Sequence, residues 1–317
     1  MGTNCDKPQR WKRDIALSVD LYNGWFLDFA PSTYREERVR ATGKVEAMLD
    51  RTTYLRRLTF QELSEHPSIL FALRMCTAPP LARDRLVGLA HVPRALVDTM
   101  EKDDCLPPQM NKVVLEEAVR QIIGMITRLV DVDIFTWLEE NRDPTEQEVY
   151  RAATIVADRL CGANANPIVR NAQERRQLNQ IRAWLESRGF EDVTGKVCLK
   201  NMQPGTFAFR LNVPGLKEDH KTVNIPVDAV VMPHGVKAGQ LPVMIEAKSA
   251  GDFANTNKRR KEEATKIAQL RRMHGQAVQY ILFLCGYLDS GYLGYEAAEG
   301  IDRVWEHRMD DLKGFGL

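Results

Sequence analysis

Residues 278–286 read VQYILFLCG, a run with hardly a polar side chain. It is far shorter than the ~18 apolar residues of a membrane span, and it lacks the alternation of a strand with one wet face. It reads as a strand buried on both sides, so helices must flank the sheet that holds it. A basic helix, roughly 257–274 and ending at Gly275, precedes it. Three strand candidates come before that helix: GTFAFRLNV (205–213), TVNIPVDAVV (222–231) and LPVMIEAKS (241–249). The segment NPIVRNAQERRQLNQIRAWLESRGF (166–190) opens the series as a helix, with Asn166 as N-cap, Pro167 in its first turn and Gly189 as C-cap. The order is therefore α-β-β-β-α-β, and its last strand–helix–strand step makes a parallel, right-handed unit. The segment EAAEGIDRVWEHRMDDL (296–312) is expected to close the chain as a helix.

The first half has a different character. RDIALSVDLYNGWFLDFA (13–30) and KVVLEEAVRQIIGMITRLVDV (112–132) carry apolar residues at helical spacing. ENRDPTEQE (140–148) is a polar break with a Thr-x-x-Glu capping box. Two regions are expected: a mainly helical N-terminal region, 1–150, and an α/β domain, 151–317. The six cysteines stand singly, without metal-finger or disulfide spacing, which suits a reduced, cytoplasmic protein. The N-terminus has no apolar signal core, and no run spans a membrane. A net charge of +1 means that any nucleic-acid role must come from local basic patches. P-loop, nucleophile-elbow and dinucleotide motifs are absent, and the histidines form no metal-ligand spacing.

Charged residues interrupt two of the strands. In 241–248 the odd positions are all apolar, while Glu246 and Lys248 share the other face. In 223–231 the odd positions are again apolar, and Asp228 lies opposite them. The connecting loop holds Pro233, Gly235 and Gly239. An antiparallel pairing centred near 237 sets Asp228 directly across from Glu246. Two carboxylates beside an ammonium suit metal-assisted phosphodiester hydrolysis, since magnesium takes one or two carboxylates and leaves room for phosphate and water. The alternative is a solvated strand face with a cross-strand ion pair. Pro226 implies an edge or a bulge.

Glu174 shares a helical stripe with Leu178, Ile181 and Leu185. It either reaches the same patch as a further catalytic carboxylate or pairs with Arg170. From Lys258 to Arg272 seven Lys and Arg stand against two Glu, a local net of +5. Asn255, Asn257, Lys258, Arg259, Arg260 and Lys261 head this run. Beside a phosphodiesterase patch they read as DNA contacts, with Arg170 in a second basic cluster; the alternative is a solvated helix face.

The Asp and Glu-Ala-Lys pair in this element order resembles the PD-(D/E)XK nuclease superfamily. NPIVRNAQERRQL, MQPGTFAFR, VNIPVDAVV, IEAKSAGDFANTNKRRKEEATKI and LFLCGYLDSGYLGYEAAEG, with DKPQRW and TAPPLARDRLVGL nearer the N-terminus, resemble the SalI/XamI type II restriction endonucleases. The resemblance covers nearly the whole chain. It implies a Mg2+-dependent enzyme that cuts double-stranded DNA at the palindrome GTCGAC. It also implies a homodimer matching the two-fold symmetry of that target, and a cognate methyltransferase protecting host DNA. The signature carries over as Asp228 and Glu246 for the metal and Lys248 as catalytic lysine. Pro226 stands two residues before Asp228, a departure from the usual adjacent pair. A repair or structure-specific nuclease, or a non-cleaving DNA-binding protein on the same fold, are the alternatives.

Overall fold

The computed structural model describes residues 2–236, 240–253 and 256–317, leaving aside the side chains of 256–260. The helices are α1 (Pro8–Arg51), α2 (Phe60–Glu65), α3 (Ile69–Met75), α4 (Arg83–Ala90), α5 (Arg94–Asp103), α6 (Lys112–Leu129), α7 (Thr136–Glu139), α8 (Glu146–Glu186), α9 (Thr256–His274) and α10 (Ser290–Ala298). The strands are β1 (Glu191–Asp192), β2 (Thr206–Leu216), β3 (Thr222–Met232), β4 (Val243–Ala250), β5 (Gln279–Gly286) and β6 (Asp302–Trp305). The fold is mixed α/β, with a helical N-terminal region and one six-stranded sheet.

The chain divides into two units, Ala30–Val169 and Met1–Phe29 with Arg170–Leu317. This division differs from the 150/151 break expected from the polar segment. That segment does start a helix: Thr145 and Glu148 form the capping box, with Thr145 N–H donating to Glu148 at 2.8 Å and Glu148 N–H donating to Thr145 Oγ1 at 3.3 Å. The helix, however, is α8, which runs through Pro167 instead of restarting there. Asn166 and Pro167 are therefore interior residues and not a helix start.

The unit 30–169 is all helical apart from one isolated bridge, Thr77 to Val130. Its core gathers Met48, Leu49, Leu63, Leu70, Leu73, Leu86, Phe135 and Trp137. Buried within it, Arg74 grips Glu101 with two hydrogen bonds, 2.5 and 2.9 Å.

The other unit holds the sheet, in the order β1-β2-β3-β4-β5-β6. β2, β3 and β4 pair antiparallel; β1–β2, β4–β5 and β5–β6 pair parallel. The parallel β4–β5 pair joined through α9 matches the crossover expected from the sequence. Apolar layers cover both faces. Met244, Leu282 and Leu284 pack with Ile267 and Leu270 of α9 on one side. Val243, Ile245, Ile281 and Phe283 pack with Ile181 and Leu185 of α8 on the other. Helical spacing misled at the C-terminus: 296–312 is the end of α10, then strand β6, then 3-10 turns, because Gly300 takes φ +69° and reverses the chain. The N-terminal segment joins this unit; Asp302 accepts hydrogen bonds from the Asn4 and Cys5 N–H groups at 3.0 and 2.9 Å.

One strand departs from simple alternation. Ala229 and Val231 face the α8 layer, but Ile225 and Val227 pack in the α9 layer. β2 makes the same switch between Phe209 and Val213. Arg210, at φ +50°, sits at the turn-over point. A left-handed residue breaks the two-residue period, so both strands change faces beside Asp228.

Candidate active site

β3 and β4 pair through Val231 with Val243, Val230 with Met244 and Ala229 with Ile245. One further step of this register sets Asp228 opposite Glu246, as the loop-centred pairing predicts. The backbone ladder stops there. Asp228 Oδ2 instead accepts the Ala247 N–H at 2.8 Å, so a side chain stands where a strand carbonyl would otherwise pair. Pro226 lies in the part of β3 that has only β2 as neighbour, where a residue lacking an N–H is tolerated.

Glu246 is 4% exposed, in line with the burial of both faces of β4. Lys248 Nζ is 3.0 Å from Glu246 Oε1 and 2.9 Å from Glu263 Oε1. Lys266 Nζ also donates to Glu246 Oε1. Glu263 is fully buried and accepts the Tyr280 hydroxyl at 2.6 Å. The face that reads in sequence as a wet strand surface is thus roofed by α9, which presents Glu263 and Lys266 one turn apart.

The electrostatics follow from this packing. Burial, and then the charge of Glu246, pushes Asp228 up to about 6, against the pull of the Ala247 N–H and Lys248. Burial works against the charge on Lys248, but Glu246 and Glu263 outweigh it and hold its pKa above the ordinary lysine range. Lys248 therefore keeps its proton at neutral pH. That suits it to stabilise negative charge more than to remove a proton.

The residues fit a divalent cation. Glu246 Oε2 is buried and accepts no hydrogen bond from any described residue. An orphaned carboxylate oxygen of this kind is costly unless a cation or donor completes it. Among the described residues no group of three or more His, Cys, Asp or Glu forms a cation cage. Asp228 and Glu246 would be the protein side of such a site, a number compatible with an ion that keeps water and phosphate as ligands.

Asp228, Glu246 and Lys248 are thus brought together. Glu174 is not joined to them by a hydrogen bond. It pairs with Arg210 at 2.7 Å, not with Arg170, and its charge is the weakest of the five influences on Asp228. Arg170 and Lys261 are exposed. Asn255 lies outside the described residues, as do the side chains of Asn257, Lys258, Arg259 and Arg260. Arg176, six residues after Arg170 on α8, is engaged by Glu306 at 2.6 Å.

A model of the XamI restriction endonuclease family matches residues 53–305. The chain belongs to this family. It is an enzyme of the restriction endonuclease class, and its relatives agree. It is 54% identical over 317 residues to the type II restriction enzyme SalI of Streptomyces albus G, covering 99% of both chains. It is 24% identical over 198 residues to the type II restriction enzyme XamI of Xanthomonas campestris pv. amaranthicola, covering 62% of this chain and 64% of that one. No solved structure matches the chain. No helix among the described residues is long and apolar enough to cross a membrane.

Proposed function

We propose that this enzyme of the XamI family is a Mg2+-dependent PD-(D/E)XK nuclease that hydrolyses double-stranded DNA at GTCGAC, working as a homodimer beside a protecting methyltransferase in the cytoplasm. The observation that carries the chemistry is the convergence of Asp228 and Glu246, with an orphaned oxygen, beside the charged Lys248. Asp228 and Glu246 hold the ion. When bound, Mg2+ polarises the phosphate and makes the attacking water more acidic. Lys248 offers its ammonium to the charge that builds on the attacked phosphate, and Glu263 keeps it aimed. Glu174 has a supporting role at the rim, through Arg210. Asn255, Asn257, Lys258, Arg259, Arg260 and Lys261, together with Arg170, supply DNA contacts. The whole-chain identity to SalI supports GTCGAC as the target. A palindrome presents two equivalent strands, and one Asp/Glu/Lys set per chain then calls for two chains.

Plasmid digestion with and without EDTA, followed by end-sequencing of the fragments, tests this reading. Discrete fragments ending within GTCGAC, formed only with the divalent ion, are expected. A smear, or cutting that persists in EDTA, would overturn it.

A further inference from the structure

The catalytic signature uses one lysine, yet two reach Glu246. Lys266 comes from α9, is one-quarter exposed and shares Glu246 Oε1 with Lys248. The two oxygens of Glu246 are therefore unequal. Oε1 is taken by two ammoniums; Oε2 is buried and bare. Counting charges, the carboxylates of Asp228, Glu246 and Glu263 face the ammoniums of Lys248 and Lys266, a net of −1. A divalent ion turns that to +1, and one phosphodiester brings it to zero. Without DNA, an arriving ion meets two ammoniums already paired with Glu246. With DNA, the phosphate gives those cations a second partner.

We propose that Lys266 couples ion binding to DNA binding: it makes the DNA-free site a weak one for Mg2+, and it turns to the scissile phosphate once DNA is seated. This rests on Asp228 and Glu246 holding the ion, as proposed above. Lys248 cannot serve in the same way, because Glu263 holds it from the other side at 2.9 Å. Among the described residues Lys266 has only Glu246 as ion-pair partner, so it is the one free to turn. Coupling of this kind is reciprocal: whatever DNA does for the ion, the ion does for DNA.

The test is calorimetric titration of Mg2+ into the full-length enzyme, alone and with a GTCGAC duplex whose scissile 3′ oxygen is replaced by methylene, which keeps the phosphate charge but blocks cleavage. For the parent, Mg2+ should bind more tightly with the duplex present. Lys266→Gln should bind Mg2+ about tenfold more tightly without DNA, because a like charge is gone, and the gain on adding duplex should shrink. Lys266→Arg keeps the charge and should behave as the parent. If Lys266→Gln binds Mg2+ equally or less tightly without DNA, or if Lys266→Arg matches Lys266→Gln, the coupling role is wrong. Asp228→Ala separates the two readings: parental Mg2+ binding that survives this change sinks the assignment of the ion site itself, whatever Lys266 does.

Discussion

Replacing Glu296 by glutamine should stabilise the protein in mild alkali and leave it nearly unchanged in mild acid. Glu296 lies in α10, 1% exposed. Burial, and then the charge of Glu263, pushes its pKa up to about 8, against Arg303 and Tyr292. The native chain thus keeps a proton that the unfolded chain releases near the ordinary glutamate value. Its contribution to stability is full below that value and is lost as pH rises through about 8. Between about pH 5 and about pH 8 the loss is on the order of 3 kcal/mol, since each pKa unit is worth roughly 1.4 kcal/mol. Glutamine resembles the protonated acid in shape and never ionises. Urea unfolding of parent and Glu296→Gln at both pH values gives two stability differences. The variant should match the parent within about 1 kcal/mol near pH 5 and exceed it by about 3 kcal/mol near pH 8. Titrating groups not coupled to Glu296 cancel in the comparison. Parallel profiles for the two proteins would show that Glu296 ionises normally and that its burial has been misjudged.

Asp228→Ala and Glu246→Ala should each abolish cleavage and Mg2+ binding, whereas Lys248→Ala should keep Mg2+ binding and slow single-turnover cleavage by about 10²-fold or more; fast cutting by Asp228→Ala would send the site elsewhere. Lys261→Gln, at the exposed head of α9, should lower the slope of log affinity against log salt by about one unit on any sequence; an unchanged slope returns Lys261 to a solvated face. In the helical unit, Glu101→Gln strands the buried Arg74 charge and should cost about 3–5 kcal/mol by urea unfolding, while Arg74→Met with Glu101→Leu should cost less than the single change. Sedimentation of the complex should find two chains per GTCGAC duplex, and one chain would remove the symmetry argument.

The sheet and the β3–β4 register were legible because strand patterns and a loop centre are local signals. The apolar run 278–286 was read correctly for the same reason. What lay hidden depended on packing. Glu263 and Lys266 sit in a charge run that reads as solvent-facing, yet Glu263, Ile267 and Leu270 follow the same 4, 3 spacing that singled out Glu174. Applied to α9, that spacing would have found Glu263. Lys266 shares that face, three residues after Glu263 and four before Leu270, so the same spacing would have found it too. The switch of faces at Arg210 was invisible because the left-handed region is rare for arginine. At the C-terminus, Ile301, Val304 and Trp305 mimic a helical stripe while lying largely within a short buried strand. Pro167 misled in the opposite sense, as a helix start inside a continuous helix.

The side-chain acceptor on Ala247 makes its amide an internal reporter. Most amides in β4 are tied to neighbouring backbone, so their exchange with solvent follows the opening of the sheet. The Ala247 N–H is tied to Asp228 Oδ2, so its exchange rate and nitrogen chemical shift follow the state of that carboxylate. A cation drawing charge from Asp228 should weaken this bond and move the Ala247 resonance while Val230 and Met244 stay fixed. Ligand occupancy then becomes readable from one backbone resonance, without DNA, turnover or a label in the site.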